Sequence, residues 1–223
     1  MRLALDTSSL ACTVALDVGD TVFERHEEQA REHTRLLMPM IRSVLEEAGV
    51  SLVDLDAIVL GNGPGSFIGL RIAASVAQGL AHAAGLRIVP ASSLAAIAAE
   101  VFNSSGANHV AVAQDAHMSE VYLGLFDRGD NNLPVLLNIE RLQGQGIIEE
   151  MSGSDANFVF AGQGWQRYPG LTSANLEARE SLSGVLYPRA RYLLATAAQC
   201  NAIDPKDIQP AYLRQKVAEK PTP

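Results

Sequence analysis

Cysteine is scarce in this chain. Its 223 residues include two, Cys12 and Cys200, far apart and without a second Cys or His at metal-binding spacing. That excludes a CxxC redox site or a zinc module, and two reduced thiols are expected. Basic charge is scarce too: 17 Lys and Arg stand against 25 Asp and Glu, a formal net charge of -8. A surface that grips nucleic acid needs clustered cations, so any work on nucleic acid would pass through a partner. No uncharged apolar run approaches the roughly 20 residues of a membrane span. An acid arrives as early as Asp6, which argues against a signal peptide. The expectation is a cytoplasmic protein attached to neither DNA nor membrane. No internal repeat stands out.

What is present is core. Hydrophobic residues make up 48% of the chain, enough for one large domain or two small ones. Leu3 to Asp6, Cys12 to Asp17 and Thr21 to Glu27 read as three strands joined by turn residues. A helix follows, with Leu37, Met40, Ile41, Val44 and Leu45 at helical spacing and Gly49 as its stop; Pro39 predicts either a start just before it or a kink. Then come a strand (Asp56 to Leu60), a helix (Phe67 to Ala84), a short strand (Arg87 to Pro90) and a helix over Leu94 to Phe102 capped by Ser92 or Ser93. The order β-β-β-α-β-α-β-α indicates a mixed sheet with helices on its faces. Asn103 to Asn108 suits a linker, so the chain divides into residues 1–103 and 104–223. Beyond it, His109 to Gln114 and Val121 to Asp127 pair around a hairpin tip, and Val159 to Gly162 forms one more strand. Tyr187 to Cys200 reads as a helix that could pack back on the first unit, and Lys220 to Pro223 as a disordered tail. Most of 129–183 carries no clear pattern.

The stretch Gly61-Asn62-Gly63-Pro64-Gly65-Ser66-Phe67-Ile68-Gly69-Leu70-Arg71 sits between a strand and a helix, the geometry that turns amides toward an anion. Yet it has no Walker lysine, and it breaks the dinucleotide pattern at Ser66. A tight turn with Ser66 as helix cap is the plainer reading, and Gly69 suggests a place where another backbone comes close. Asp6-Thr7-Ser8-Ser9 allows either a metal-holding acid beside phosphate-contacting hydroxyls or an Asx turn; the residues favour the turn. His33 has Leu37, not a second ligand, one helical turn on, so a helical metal pair is incomplete. Asp115, His117 and Glu120 crowd one hairpin tip, more in keeping with a solvated turn than an acid–base group, and Ser119 has no visible triad partners. The helix from Phe67 carries small residues at Gly69, Ala73 and Ala77 and is apolar nearly all round. With Leu36, Leu37 and Met40 of the preceding helix, it suggests surplus apolar surface for a protein partner.

Leu3-Ala4-Leu5-Asp6-Thr7-Ser8, His33 to Ile41, Gly63 to Arg71, Asp115-Ala116 with Glu120-Val121-Tyr122, and Pro210-Ala211-Tyr212-Leu213-Arg214 together resemble the bacterial TsaB family, also called YeaZ. The resemblance spans nearly the whole chain. It implies an α/β, actin-like (ribonuclease H-like) fold of two lobes, each a mixed sheet flanked by helices. It also implies a non-catalytic role in forming threonylcarbamoyladenosine at position 37 of tRNAs that read codons beginning with A. The implied partners are a TsaD-like catalytic subunit, a TsaE-like ATPase and a second copy of the chain, with tRNA met only through the complex. The expected contact residues are His33, Leu36, Leu37, Met40, Gly69, Ile72, Ala73 and Val76. No cofactor is expected to bind tightly and no metal at all; ATP or ADP at the joint with TsaD would meet Asp6, Thr7, Ser8, Gly63, Gly65 and Ser66. The alternative reading is an ATP-dependent phosphotransferase of the actin-like superfamily. Two positions depart from the family pattern: Ile68 replaces an expected Thr, and His117 an expected Arg.

Overall fold

The computed structural model describes residues 1–29, 32–152, 156–175 and 181–214; the tail expected to be disordered, Lys220 to Pro223, lies outside them. Two mixed sheets form the framework. The first has strands β1 (Arg2–Asp6), β2 (Cys12–Val18), β3 (Thr21–Glu27), β4 (Ala57–Gly61) and β5 (Arg87–Ala91), in the order β3-β2-β1-β4-β5. β1 runs antiparallel to β2 and parallel to β4. Helices α1 (His33–Ala48) and α2 (Phe67–Ala84) each end at a glycine in the left-handed region, Gly49 and Gly85. Pro39 lies within α1 rather than at its start. Helix α3 (Ser93–Ser104) has Ser92 as its N-cap, whose hydroxyl accepts from the Ala95 N–H, and absorbs the first two residues of the expected linker.

The second sheet holds β6 (His109–Asp115), β7 (Val121–Arg128), β8 (Pro134–Leu136), β9 (Arg141–Gln143), β10 (Phe158–Ala161) and β11 (Ser181–Leu182), with β11-β10-β6-β7-β8 in order and β9 also paired to β7. Short helices α4 (Gly164–Arg167) and α5 (Pro169–Asn175) follow β10. The expected helix over 187–200 is shorter: α6 covers Ala190–Thr196, and a single 3₁₀ turn, Ala197–Gln199, extends it. The backbone of Arg189 is extended at the N-cap, which leaves Pro188 outside the helix.

Strand alternation distributes the core. On β1, Leu3 and Leu5 face α1 and α2 together with Val14, Leu16, Ile58 and Leu60. Ala4 faces the other way with Ala15 and Val59, against Leu193 and Leu194 of α6 and Ala96 of α3. Helix α3 meets the second sheet through Leu94, Ile97 and Val101, packed on Val110, Val112 and Phe126. The far face of that sheet closes over Phe160 and Trp165, stacked with ring centroids 4.0 Å apart. Thus α3 bridges the two lobes, and a cleft opens between them.

Candidate interaction surface and inter-lobe cleft

Three glycines shape the first wall of that cleft. A methyl group on Gly61 would lie 2.0 Å from Asp6 Oδ2, on Gly65 2.2 Å from the Ser8 carbonyl oxygen, and on Gly69 1.8 Å from the Thr7 carbonyl oxygen. All three make room for the turn after β1. That turn is stitched to the glycine loop: the Ser66 N–H donates to the Ser8 carbonyl (2.6 Å), and the Thr7 hydroxyl donates to the Gly69 carbonyl (2.7 Å). Ser66 also caps α2, accepting from the Gly69 N–H at 3.2 Å.

Asp6 is fully buried. It forms an Asx turn, accepting from the Ser8 N–H at 2.6 Å. It also accepts from the Ser93 hydroxyl at 2.5 Å, and Ser93 in turn accepts from the Gly63 N–H at 3.2 Å. Burial pushes the Asp6 carboxyl up, against the pull of these hydrogen bonds and of nearby His33. Of the six residues expected to meet a nucleotide, Asp6, Thr7, Ser8, Gly63 and Gly65 are buried and only Ser66 is exposed. The loop amides at Gly63 and Ser66 are spent on the chain's own oxygens.

The expected contact residues divide. Leu37, Met40, Gly69 and Ala73 are buried, as is His33 apart from its edge on the cleft. The reason is the breadth of each helix's inward face: Leu37, Met40, Ile41 and Val44 of α1 and Leu70, Ala73, Ala74 and Ala77 of α2 all pack inward. Leu36, Ile72 and Val76 are half-buried. Ile68, which the sequence reading did not place at the contact, is 70% exposed. Ile68, Ile72 and Val76 fall at i, i+4 and i+8 and form one outward stripe on α2.

The cleft, about 780 Å³, is walled by Ser8, Leu10, His33, Phe67 and Ile68 from the first lobe, and by Asp115, His117, Met118 and Tyr122 from the second, with Arg214 beside them. His33 opens α1, and its buried Nε2 has no hydrogen-bond partner among the described residues. No group of three or more His, Cys, Asp or Glu among those residues is arranged to hold a metal. Asp115 is not free to act as a base. It accepts from the Tyr168 hydroxyl (2.6 Å) and the His117 N–H (2.8 Å) and pairs with Arg167 (2.9 Å).

The second-lobe wall has a feature that no sequence pattern signalled. His117, Met118 and Ser119 are consecutive non-glycine residues at φ 60°, 51° and 61°. Left-handed backbone costs an L-residue roughly 1–2 kcal/mol, so the turn needs outside support. Part of it comes from the tail: Arg214 donates to the His117 carbonyl at 3.3 Å and pairs with Glu120 at 2.5 Å.

The sequence model of the family described as "TsaD: tRNA N6-adenosine threonylcarbamoyltransferase" matches residues 24–220, in line with an actin-like architecture of two mixed sheets flanked by helices. The chain is 37% identical to "tRNA threonylcarbamoyladenosine biosynthesis protein TsaB" of Escherichia coli over 99% of its own length and 97% of that protein's. It is 36% identical to the protein of the same name from Haemophilus influenzae, over 99% and 96%. A solved structure titled "YeaZ from Pseudomonas aeruginosa" superposes with a TM-score of 0.86 at 36% identity, covering 95% of this chain and 99% of that one. The chain belongs to the TsaB family.

Proposed function

We propose that this protein is a non-catalytic scaffold and activator in the formation of threonylcarbamoyladenosine at position 37 of tRNA. In this reading it supports a TsaD-like catalytic subunit, acts together with a TsaE-like ATPase and meets tRNA only through the complex. The observation that carries the reading is the apolar stripe of α2, where Ile68 is largely exposed and Ile72 and Val76, like Leu36 of α1, are only half-buried at the edge of the core. Full-length likeness to proteins named for that pathway supplies the pathway. The incomplete pair at His33 and Leu37 favours a supporting rather than a transferring subunit. The same stripe would serve self-association when no partner is present.

Val76→Arg and Ile72→Arg test the reading, because both positions are half-buried. Ala73→Arg is unsuitable: Ala73 is fully enclosed, and the variant would fail to fold. A buried cation at an apolar contact removes at least about 2 kcal/mol, some thirtyfold in affinity. Size-exclusion chromatography with the purified TsaD-like subunit should show no co-elution for either variant, with wild-type circular dichroism. Retained co-elution of both would place the contact elsewhere.

A further inference from the structure

Residues 209–214 cross from one lobe to the other. On the first lobe, the Asn62 amide donates to the Gln209 carbonyl at 3.0 Å, and the Ala211 N–H donates to the Asn62 carbonyl at 3.0 Å. Tyr212 then lies against the start of α2. Its ring centroid is 5.2 Å from that of Phe67, and its hydroxyl accepts from Arg71 Nε at 3.1 Å. Arg71 itself lies over the Phe67 ring, 3.6 Å from its centroid. One residue further, Leu213 packs on the core of the second lobe. Arg214 reaches the left-handed turn, contacting Glu120, the His117 carbonyl and the Met118 sulfur, the last at 3.3 Å.

We propose that 209–214 is a strap that holds the two lobes at their present separation, with Arg214 as a latch that keeps residues 117–119 in their left-handed form. Three consecutive L-residues at positive φ persist only where their surroundings over-determine them. Here the local bonds are few. The Ala116 N–H donates to the Glu120 carbonyl and the Glu120 N–H to the His117 carbonyl, both at 3.0 Å, and the His117 N–H to the Asp115 carboxylate at 2.8 Å. The guanidinium adds three contacts to the same turn from a segment anchored on the opposite lobe. Its Nε–H is buried and finds no acceptor among the described residues, so the latch is held by its two terminal nitrogens alone. Releasing the strap frees the turn to leave the left-handed region and removes one wall of the cleft. Because Tyr212 sits on the first turn of α2, next to Ile68, the strap links the helix surface to the far lobe. This device stands whether or not the stripe binds a TsaD-like subunit.

The test is amide hydrogen exchange on the full chain, wild type against Arg214→Ala and Tyr212→Ala. The first cuts the latch, and the second cuts the anchor on the other lobe. Both should speed exchange at Ala116 and Glu120 by tenfold or more, while exchange in β1 and β4 stays at wild-type rates. The Tyr212→Ala result separates a strap from simple loss of a neighbour, since the ring contact and the hydroxyl bond of Tyr212 both lie on α2. Less than a tenfold change at Ala116 and Glu120 in Tyr212→Ala overturns the strap, even if Arg214→Ala shows the effect. Less than tenfold in Arg214→Ala overturns the latch. Should Arg214→Ala not fold, Glu120→Gln replaces it under the same threshold.

Discussion

Two turns line the same cleft from opposite lobes, and they are built on opposite principles. The first, Asp6 to Ser8 against the glycine loop, is buried and sealed by its own hydrogen bonds. It uses glycines so that two backbones can touch. The second, Ala116 to Glu120, has its three central residues exposed. It has no glycine where the backbone favours one, and it leans on a distant arginine. The first is held within one lobe by buried partners from the glycine loop and α3; the second also depends on a segment that arrives from the far end of the chain. In a protein read as a binding partner, the conditional turn is the one suited to respond to what docks nearby.

The sharpest way to break the contrast is to give the first turn a side chain. Gly69→Ala would place a methyl 1.8 Å from the Thr7 carbonyl oxygen, a backbone atom that cannot swing aside. Overpacking of this kind typically costs about 1–3 kcal/mol, and a site where backbone has to move lies at the upper end. The expected result is a marked loss in urea unfolding midpoint. A loss of under about 1 kcal/mol would show that the β1 turn yields, and that the two turns are less different than described.

Next in size is the buried carboxyl. Asp6→Asn keeps an acceptor for the Ser8 N–H but faces the Ser93 hydroxyl with an amide donor, so that bond must reverse and the buried network weakens, at about 1–2 kcal/mol. The pH dependence carries the diagnostic sign. Burial raises the Asp6 carboxyl above its ordinary value of 3.8, so the folded state holds this proton more tightly than the unfolded chain does. That contribution is fully present below the unfolded value and is lost as pH rises through the folded one. The stability advantage of wild type over Asp6→Asn should therefore shrink as pH rises above 3.8, as measured by urea unfolding across a pH series. An advantage that grows with pH would mean that Asp6 is held as a stabilised anion.

The same contrast decides what the sequence could reveal. The first turn was legible because its chemistry needs particular residues. Asp followed by small hydroxyls predicts an Asx turn, and Gly69 within a helix predicts close backbone approach; both are found. The first sheet and its helices were legible for the same reason, since strand and helix periods are sustained there. The second turn was not legible. His117, Met118 and Ser119 carry no signal for left-handed backbone, and the tail contact that helps to hold them is 94 or more residues away. Nor was 129–183 legible, where β8, β9 and β11 are only two or three residues long and take their conformation from their neighbours. Burial on α1 and α2 was only half legible: helical spacing showed which residues are apolar there, but not that Leu37, Met40 and Ala73 belong to the core over the sheet.

The smallest effect is the most discriminating, because it reverses the first substitution. Ser119 is exposed and sits at φ 61°. Ser119→Gly removes the Cβ penalty in the folded turn, worth about 1 kcal/mol, and adds backbone freedom to the unfolded chain, which costs a similar amount or less. The net change should lie between zero and about 1 kcal/mol of stabilisation. Ser119→Val should lose about 1–2 kcal/mol, since a branched Cβ suits left-handed backbone least. Adding a carbon at Gly69 destabilises because space is missing; removing side-chain atoms at Ser119 does not, because strain rather than space is limiting there. If Ser119→Gly instead destabilises by more than 1 kcal/mol, the serine makes a contact that matters more than its backbone, and the turn belongs with the sealed one across the cleft.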